Sequence, residues 1–306
     1  MPDRKPPTGE SLYRGPSAAP RDKRERERLR ERTPPLERTP PRDDQPRPPA
    51  REARLHEPAP PRPPQEQRWY GLNACLALFA RRPAALRKVW LLESRIPALK
   101  AVLAHCVKNR LGYTVVEAVD LEKLSGSAHH EGVVFGAMAA AEQSLADWLR
   151  VQPAGPQLAI WLDGVGNPHN LGAILRSAAH FGVAGVLLSA DSTLALSGAA
   201  ARVAEGGAEA LPLVRMARNE NALGQLQSAG FTVAATVVRG GRSLYQTALP
   251  ERLVLLMGAE QSGVDASLAQ SSAMQLLIPG SGAVESLNVA SATSVLLSEW
   301  VRQHRA

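Results

Sequence analysis

Apolar residues recur at two different spacings along this chain, and the alternation between them predicts its secondary structure. Leu72, Cys75, Leu76 and Phe79 follow the three- and four-residue spacing of a helix. That pattern stops at Arg82-Pro83, and a continuous apolar run, VWLL, follows it as a short buried strand. Helix and strand patterns then keep alternating to the end of the chain, which predicts an α/β fold.

The first part of this alternation predicts a small α/β domain over residues 68–140. Its later elements are two helices, Ile96–Leu111 and Ala118–Leu124, and two strands, Tyr113–Val116 and Gly132–Ala137. A linker is predicted over residues 141–157, with an amphipathic run from Ser144 to Leu149 and then the prolines and glycine of VQPAGPQ.

The second part, residues 158–306, predicts a larger domain with a mostly parallel sheet and flanking helices. LAIWLD and VAGVLLSA are apolar strands on either side of the helical run LGAILRSAAHFG, which makes a βαβ unit. FTVAATVV, RLVLLMG and the run Met274–Ile278 supply further strands. In the last of these Met274, Leu276, Leu277 and Ile278 are all apolar, so we expect a central strand that is covered on both faces.

Residues 1–67 differ from the rest in composition, and we expect them to be a disordered tail. They contain 17 of the 25 prolines and a single aromatic residue, Tyr13, amid many charges of both signs. Such a tail can solubilise the protein, or its arginines can bind nucleic-acid phosphates without sequence preference. The net charge of +7 favours a polyanionic partner.

Other features of the composition narrow the class of protein. The chain has no apolar run long enough to span a bilayer and no signal-peptide pattern, so we expect a soluble, cytoplasmic protein without membrane contact. Cys75 and Cys106 lack the spacing of a metal or redox motif, and we expect reduced, structural thiols. His129, His130 and Glu131 have no further ligands nearby, so an RNA-facing or interdomain loop is favoured over a metal site.

Three polar loops follow three apolar strands of the second domain, and we expect them to meet at one edge of the sheet. They are Asp163–Asn170, Gly258–Gly263 and Pro279–Asn288. Carboxyl ends of parallel strands form the ligand-binding edge of open α/β sheets. The candidate site residues in or beside these loops are Asn170, Arg176, Glu260, Ser286 and Asn288, the last also a favoured N-cap for a helix that begins near Val289.

Two common enzyme motifs do not account for these loops. A dinucleotide-binding fingerprint at Gly164 and Gly166 would need its third glycine at His169. A serine hydrolase built on Ser286 would need a GxSxG turn and a neighbouring histidine base, and neither is present. Arg176 taken alone is compatible with a solvent-facing position on an amphipathic helix, and Ser286, Asn288 and Glu260 alone with an ordinary loop, cap and turn.

Three stretches nevertheless resemble the signature motifs of one family. LDGVGNPHNLGAILRSAAHFGV, LVLLMGAEQSGV and IPGSGAVESLNVASA are similar, in this order, to the motifs of the SpoU (TrmH) family of S-adenosylmethionine-dependent RNA 2′-O-ribose methyltransferases, in the SPOUT superfamily. WYGLNAC and HHEGVVFGA resemble parts of that family's N-terminal RNA-binding domain. The resemblance covers the chain from Arg68 onward and leaves out the tail.

The resemblance implies a fold, a reaction and a role for each candidate residue. The fold is a trefoil-knotted SPOUT domain that forms a homodimer with shared sites, and the reaction is methylation of a ribose 2′-hydroxyl in rRNA or tRNA. Backbone groups of Gly258, Ile278 and Leu287 would hold S-adenosylmethionine. Arg176 would act on the ribose hydroxyl, Glu260, Ser286 and Asn288 would complete the site, and Asn170 would support it. Apolar residues of the C-terminal helix, Leu296, Leu297, Trp300 and Val301, are the expected dimer surface.

Three positions depart from the family's usual residues and keep an alternative open. They are Asn167 in the first motif, Ala259 in the second and Ala290 at the start of the last helix. The alternative is an RNA-binding or ribosome-assembly protein that retains the fold without turnover. A small-molecule enzyme would leave the first domain and the basic tail unexplained.

Overall fold

The structure is a computed structural model that describes residues 65–217 and 220–305. Most of the predicted tail therefore lies outside the described residues. Its last residues do not, because the first strand, β1 (Glu66–Tyr70), begins two residues before Arg68. The described residues belong to one compact unit.

The first sheet has four strands in the order β1-β4-β2-β3. Strand β4 pairs antiparallel with β1 and β2, and β3 pairs parallel with β2. Its elements after β1 are α1 (Leu72–Arg81), β2 (Leu86–Leu91), α2 (Lys100–Lys108), β3 (Gly112–Val115), α3 (Ala118–Ser125) and β4 (Val133–Met138). These residues form the small α/β arrangement that the sequence predicts, and the helix expected from Ile96 begins later, at Lys100, because Leu99 takes a non-helical backbone conformation.

The second sheet has eight strands in the order β10-β12-β9-β11-β6-β7-β8-β5, and its pairings are all parallel. This confirms an α/β fold with a mostly parallel sheet. In chain order its elements are β5 (Gln143–Ser144), α4 (Leu145–Arg150), β6 (Gln157–Leu162), α5 (Pro168–His180), β7 (Gly185–Leu188), α6 (Gly198–Ala204), β8 (Leu213–Arg215), α7 (Ala222–Ser228), β9 (Thr232–Thr236), β10 (Arg242–Ser243), β11 (Arg252–Met257), α8 (Ala266–Ser271), β12 (Met274–Leu277) and α9 (Val289–His304).

Strand β12 does not occupy the central position that its apolar sequence predicts. It lies beside the edge, between β9 and the two-residue strand β10, and Leu276 is its one buried residue. The centre of the sheet is formed by β11 and β6, in which Leu253 to Met257 and Leu158 to Leu162 are buried. Apolar composition therefore predicted a strand correctly but not its place in the sheet.

The predicted dimer surface on α9 is also wrong for three of its four residues, and the fourth, Val301, is partly buried. Leu296, Leu297 and Trp300 are at most 1 % exposed within this single chain. The Trp300 Nε1 donates a hydrogen bond to the Pro250 carbonyl at 2.9 Å, so the polar N–H of the indole already has its partner within this chain. The homodimer, the passage of the C-terminal segment through a knot and the division of the chain into domains at residues 68, 141 and 158 stay predictions.

Three further findings concern the cysteines, membrane-spanning helices and possible metal ligands. Both cysteines are buried free thiols, and burial raises the pKa of each above its usual value. No helix in the described ranges is long and apolar enough to cross a bilayer. Within residues 65–217 and 220–305, no group of three or more histidine, cysteine or carboxylate side chains is arranged so that it could hold a metal ion.

Candidate active site

The first polar loop ends in an N-cap that fixes the start of α5. The Asn167 side chain accepts a hydrogen bond from the His169 backbone N–H at 2.8 Å, and Pro168 occupies the first helical position, where its missing N–H costs nothing. This places Asn170 in the first turn of α5, beside the carboxyl end of β6. Asn167, one of the three departures from the family pattern, thus acts as a helix cap.

The second polar loop is a tight turn that folds back on Gly258. A Cβ atom at residue 258 would lie 2.1 Å from the Gly263 carbonyl carbon and from the Val264 nitrogen, so only glycine fits there. Ala259 and Gly263 close the turn with two backbone hydrogen bonds of 3.1 and 2.9 Å. Because Ala259 acts through its backbone, its side chain is not what shapes this loop.

The third polar loop leads into α9 through Asn288, as predicted. The Asn288 Oδ1 accepts hydrogen bonds from the backbone N–H groups of Ala290, at 2.9 Å, and Ser291, at 3.3 Å. Because both caps require the amide oxygen, the Nδ2 group of Asn288 must face the other way, toward the remaining loops.

The three loops meet through the side chains of Asn170, Glu260 and Asn288. The Asn288 Nδ2 donates to the Glu260 Oε1 at 2.5 Å and to the Asn170 Oδ1 at 3.1 Å. The Asn170 Nδ2 donates to the same Glu260 oxygen at 3.0 Å. Residues 170, 260 and 288 are far apart in sequence, so this network confirms that the three loops converge. Each amide has one orientation that satisfies all its partners.

A pocket of about 290 Å³ opens beside this network, between the second and third loops. Five of the predicted site residues line it: Gly258, Glu260, Ile278, Ser286 and Leu287. Apolar side chains from β11, β12 and α9 line it, and so does Glu285, which forms an exposed ion pair with Arg239 at 3.5 Å. An apolar pocket with a few convergent polar groups is typical of a small-molecule site.

One wall of the pocket was not predicted from the sequence. It is formed by Thr236, Val237 and Val238, at the carboxyl end of β9. The strand run FTVAATVV was recognised, but its end carries no catalytic side-chain type. Its place beside β11 in the sheet is what brings it into the site.

Arg176 lies outside the pocket of its own chain. It is exposed on α5, six residues beyond Asn170, which puts it about 9 Å along the helix and about 120° around it. Among the described residues its guanidinium makes no hydrogen bond or ion pair. The structure therefore brings Asn170, Glu260 and Asn288 together and leaves Arg176 on another face.

Comparison with known proteins identifies the family to which these loops belong. The sequence model of the SpoU rRNA Methylase family matches residues 157–298, and the model described as RNA 2′-O ribose methyltransferase substrate binding matches residues 69–142. The chain is 34 % identical over 248 residues to the 23S rRNA (guanosine-2′-O-)-methyltransferase RlmB of Pseudomonas putida, covering 79 % of this chain and 98 % of that protein. This chain belongs to the SpoU rRNA methylase family.

Two further relatives of this SpoU family member extend the comparison. It is 41 % identical over 243 residues to the uncharacterized tRNA/rRNA methyltransferase YfiF of Escherichia coli O157:H7, covering 79 % of this chain and 70 % of that protein. The crystal structure of the AdoMet-bound rRNA methyltransferase from Sinorhizobium meliloti superposes with a TM-score of 0.66 at 28 % identity, over 78 % of this chain and 87 % of that one. The relatives thus match both parts of the chain.

Proposed function

We propose that this SpoU family member transfers a methyl group from S-adenosylmethionine to a ribose 2′-hydroxyl of ribosomal or transfer RNA. The observation that carries the proposal is the hydrogen-bonded network of Asn170, Glu260 and Asn288 at the edge of the pocket. Each of these residues comes from a different one of the three motifs, so the motifs meet at this network. RlmB acts on a guanosine of 23S rRNA according to its name, so 23S rRNA is the first substrate to test.

The pocket has the features that S-adenosylmethionine requires. Its volume of about 290 Å³ and its apolar floor suit an adenosine with an attached amino acid. Gly258 and Ile278 directly follow β11 and β12, and Leu287 lies in the third loop, two residues before α9. Among the described residues the backbone groups of all three make no hydrogen bonds, so they remain available to a ligand. When bound, S-adenosylmethionine supplies an electrophilic methyl group.

The chain's own residues would orient the ribose, and the carboxylate of Glu260, which lines the pocket, would accept the proton that leaves its hydroxyl. The hydroxyl must lie in line with the methyl group, so orientation supplies much of the rate. Arg176 carries a planar guanidinium with five N–H donors, and we assign it to binding the adjacent phosphate and stabilising the oxygen as negative charge develops. Glu260 is held by two amide donors, and Ser286 lines the pocket without a side-chain hydrogen bond in the described chain.

The position of Arg176 supports a homodimer with shared sites. Its own chain does not place it in the pocket, yet its helix packs against α9, where Ser177 and Ser294 share a 2.8 Å hydrogen bond. An exposed arginine on this surface can reach the pocket of a second subunit. We therefore propose that each active site combines the pocket of one chain with Arg176 of the other, in the cytoplasm where these RNAs are found.

Transfer of label from methyl-labelled S-adenosylmethionine to RNA tests the reaction. We expect label in a single RNA, removal of the signal by Arg176→Ala, and unchanged cofactor binding by that variant in calorimetry. Normal cofactor binding without label in any RNA would instead favour the RNA-binding or assembly protein. The three departures give that alternative little support, because Asn167 caps a helix and Ala259 and Ala290 act through their backbones.

Mixing two inactive variants tests the shared site. Arg176→Ala removes the group given to the partner, and Glu260→Ala damages the pocket of its own chain. Random re-association of equal amounts makes half of the dimers mixed, each with one intact site, so we expect about a quarter of wild-type activity. Activity that stays at zero, or a light-scattering mass of one chain, would refute the shared homodimer.

A further inference from the structure

One short segment, residues 202–209, contacts the small domain on one side and α5 on the other. It comprises the end of α6, the residues Glu205 and Gly206, and a 3-10 turn at Gly207–Glu209. The segment belongs to the sequence ARVAEGGAEALPLV, which no step of the proposed reaction uses. We refer to residues 202–209 as the clasp segment.

The strongest contact of the clasp segment is a two-pronged ion pair between Glu209 and Arg82 of the small domain. The Arg82 Nε and Nη2 groups donate to the two carboxylate oxygens at 2.6 and 2.8 Å, and Nη1 donates to the Met138 carbonyl at 3.0 Å. The Glu209 side chain is 3 % exposed. A carboxylate this deeply buried depends on its partner, and the planar fork of arginine fixes both distance and angle.

Two weaker contacts flank this pair. The Asn73 side chain donates to Glu205 at 2.6 Å, and Arg202 forms an ion pair with Glu131 at 3.3 Å. Glu205 adopts a left-handed backbone conformation, with φ of 51°, which glycine or asparagine adopts at lower cost. A glutamate is thus held in an unfavourable conformation at the point where it meets the small domain.

The opposite side of the clasp segment rests directly on α5. A Cβ atom at residue 207 would lie 2.7 Å from the Leu175 carbonyl oxygen and 3.0 Å from the Arg176 Cα. Glycine is therefore required for the turn to approach the helix this closely. The ion pair to the small domain and the contact with the backbone of Arg176 are only two residues apart.

We propose that Arg82 and Glu209 are a positioning pair, which holds the RNA-binding small domain at one distance and angle from Arg176 and thereby selects the nucleotide that is methylated. This inference rests on the proposed function. Phosphate contacts on the small domain fix where the RNA lies on that domain. Because the small domain is held rigidly against α5, one particular ribose then lies beside Arg176.

The test uses a double variant of the full chain, Arg82→Met/Glu209→Met. The single change Arg82→Met leaves a buried carboxylate unpaired and can unfold the protein, whereas the double change replaces the pair by apolar groups and avoids that cost. Arg87→Met is the matched control, because it removes the same charge from the same domain, and its guanidinium donates to the Ala84 and Leu86 carbonyls of its own segment.

We expect the double variant to bind S-adenosylmethionine and RNA as tightly as Arg87→Met does. Its kcat at the wild-type nucleotide should fall about 10- to 100-fold, since a misplacement of about 1 Å costs this much, and methylation mapping should find label at neighbouring riboses. A merely structural pair would change the melting temperature without changing the modified position. Wild-type kcat at the wild-type position would overturn the proposal.

A distance measurement makes the inference independent of turnover. Spin labels at Val119→Cys in α3 and Ser298→Cys in α9 occupy exposed sites, while the native cysteines are buried. Labelled chains are diluted into excess unlabelled protein, so that distances within one chain are read. We expect one narrow distance in the wild type and in Arg87→Met, and a broad distribution in the double variant. An equally narrow distribution in the double variant would overturn the positioning role, whereas absence of transfer by the wild type would refute only the proposed function.

Discussion

Asn288 is the residue whose substitution tests the site most directly, because its amide has two separable roles. Its oxygen caps α9, and its nitrogen joins Glu260 and Asn170. Asn288→Ala removes both roles. Loss of an N-cap costs about 1 kcal/mol, which lowers the melting temperature of a chain this size by about 2–4 °C. Asn288→Ser keeps a capping oxygen and loses the amide donors, so its stability should stay within about 0.5 kcal/mol of wild type.

The two Asn288 variants should therefore differ in stability but share a functional defect. Without the amide, Glu260 loses its shortest hydrogen bond. Because the loss of one charge-assisted hydrogen bond costs about this much, we expect methyl transfer to fall at least about 10-fold in both variants. Asn221→Ala provides the control, since Asn221 caps α7 through a 3.0 Å bond to the Gly224 N–H. It should lower the melting temperature like Asn288→Ala and leave transfer unchanged. Wild-type transfer by Asn288→Ser would refute the network's functional role.

Two other predictions follow from the site and from the C-terminal helix. Gly258→Ala should weaken cofactor binding in calorimetry more than about 10-fold because the new Cβ meets immovable backbone, whereas Gly280→Ala, where a Cβ meets nothing within 4 Å, should bind normally; equal affinities would contradict this. Hydrogen bonds from Arg302 and then Gln303 lower the pKa of Glu299 from 4.5 to about 2. Its stabilisation is therefore present above pH 4.5 and is lost as the pH falls toward 2. After allowance for solvent screening it is about 1 kcal/mol, so acid unfolding followed by circular dichroism should be shallower in Glu299→Gln; identical profiles would contradict this.

The parts of the fold that depend on local sequence were predicted well. The start of α9 at Val289 follows from the capping chemistry of Asn288, and the end of α1 before Pro83 follows from the fixed geometry of proline. The convergence of Asn170, Glu260 and Asn288 could be predicted because parallel strands place their carboxyl ends at one edge.

The parts that depend on distant partners could not be predicted in this way. Strand β1 has alternating charges that gave no strand signal, and it forms because β4 provides the antiparallel partner. From the sequence alone, Leu297 and Trp300 counted as surplus apolar surface, but in the structure packing within the same chain buries them. Arg82 and Glu209 are 127 residues apart, and neither lies in a motif that would join them. Arg176 was identified by resemblance, but its exclusion from its own chain's pocket required the structure.

The distribution of charge explains why a rigid link would matter to this enzyme. Residues 68–140 contain ten Lys and Arg against five Asp and Glu, whereas residues 141–306 contain ten against twelve. Within residues 68–306, the excess of positive charge therefore lies in residues 68–140, and the pocket lies in a part with slight negative charge. Neutralising exposed small-domain cations should raise the KM for RNA and flatten its salt dependence without changing the KM for S-adenosylmethionine. Under our proposal, residues 68–140 bind the RNA and residues 158–306 carry out the chemistry, and the Arg82–Glu209 pair supplies the fixed geometry between them that makes one ribose the substrate.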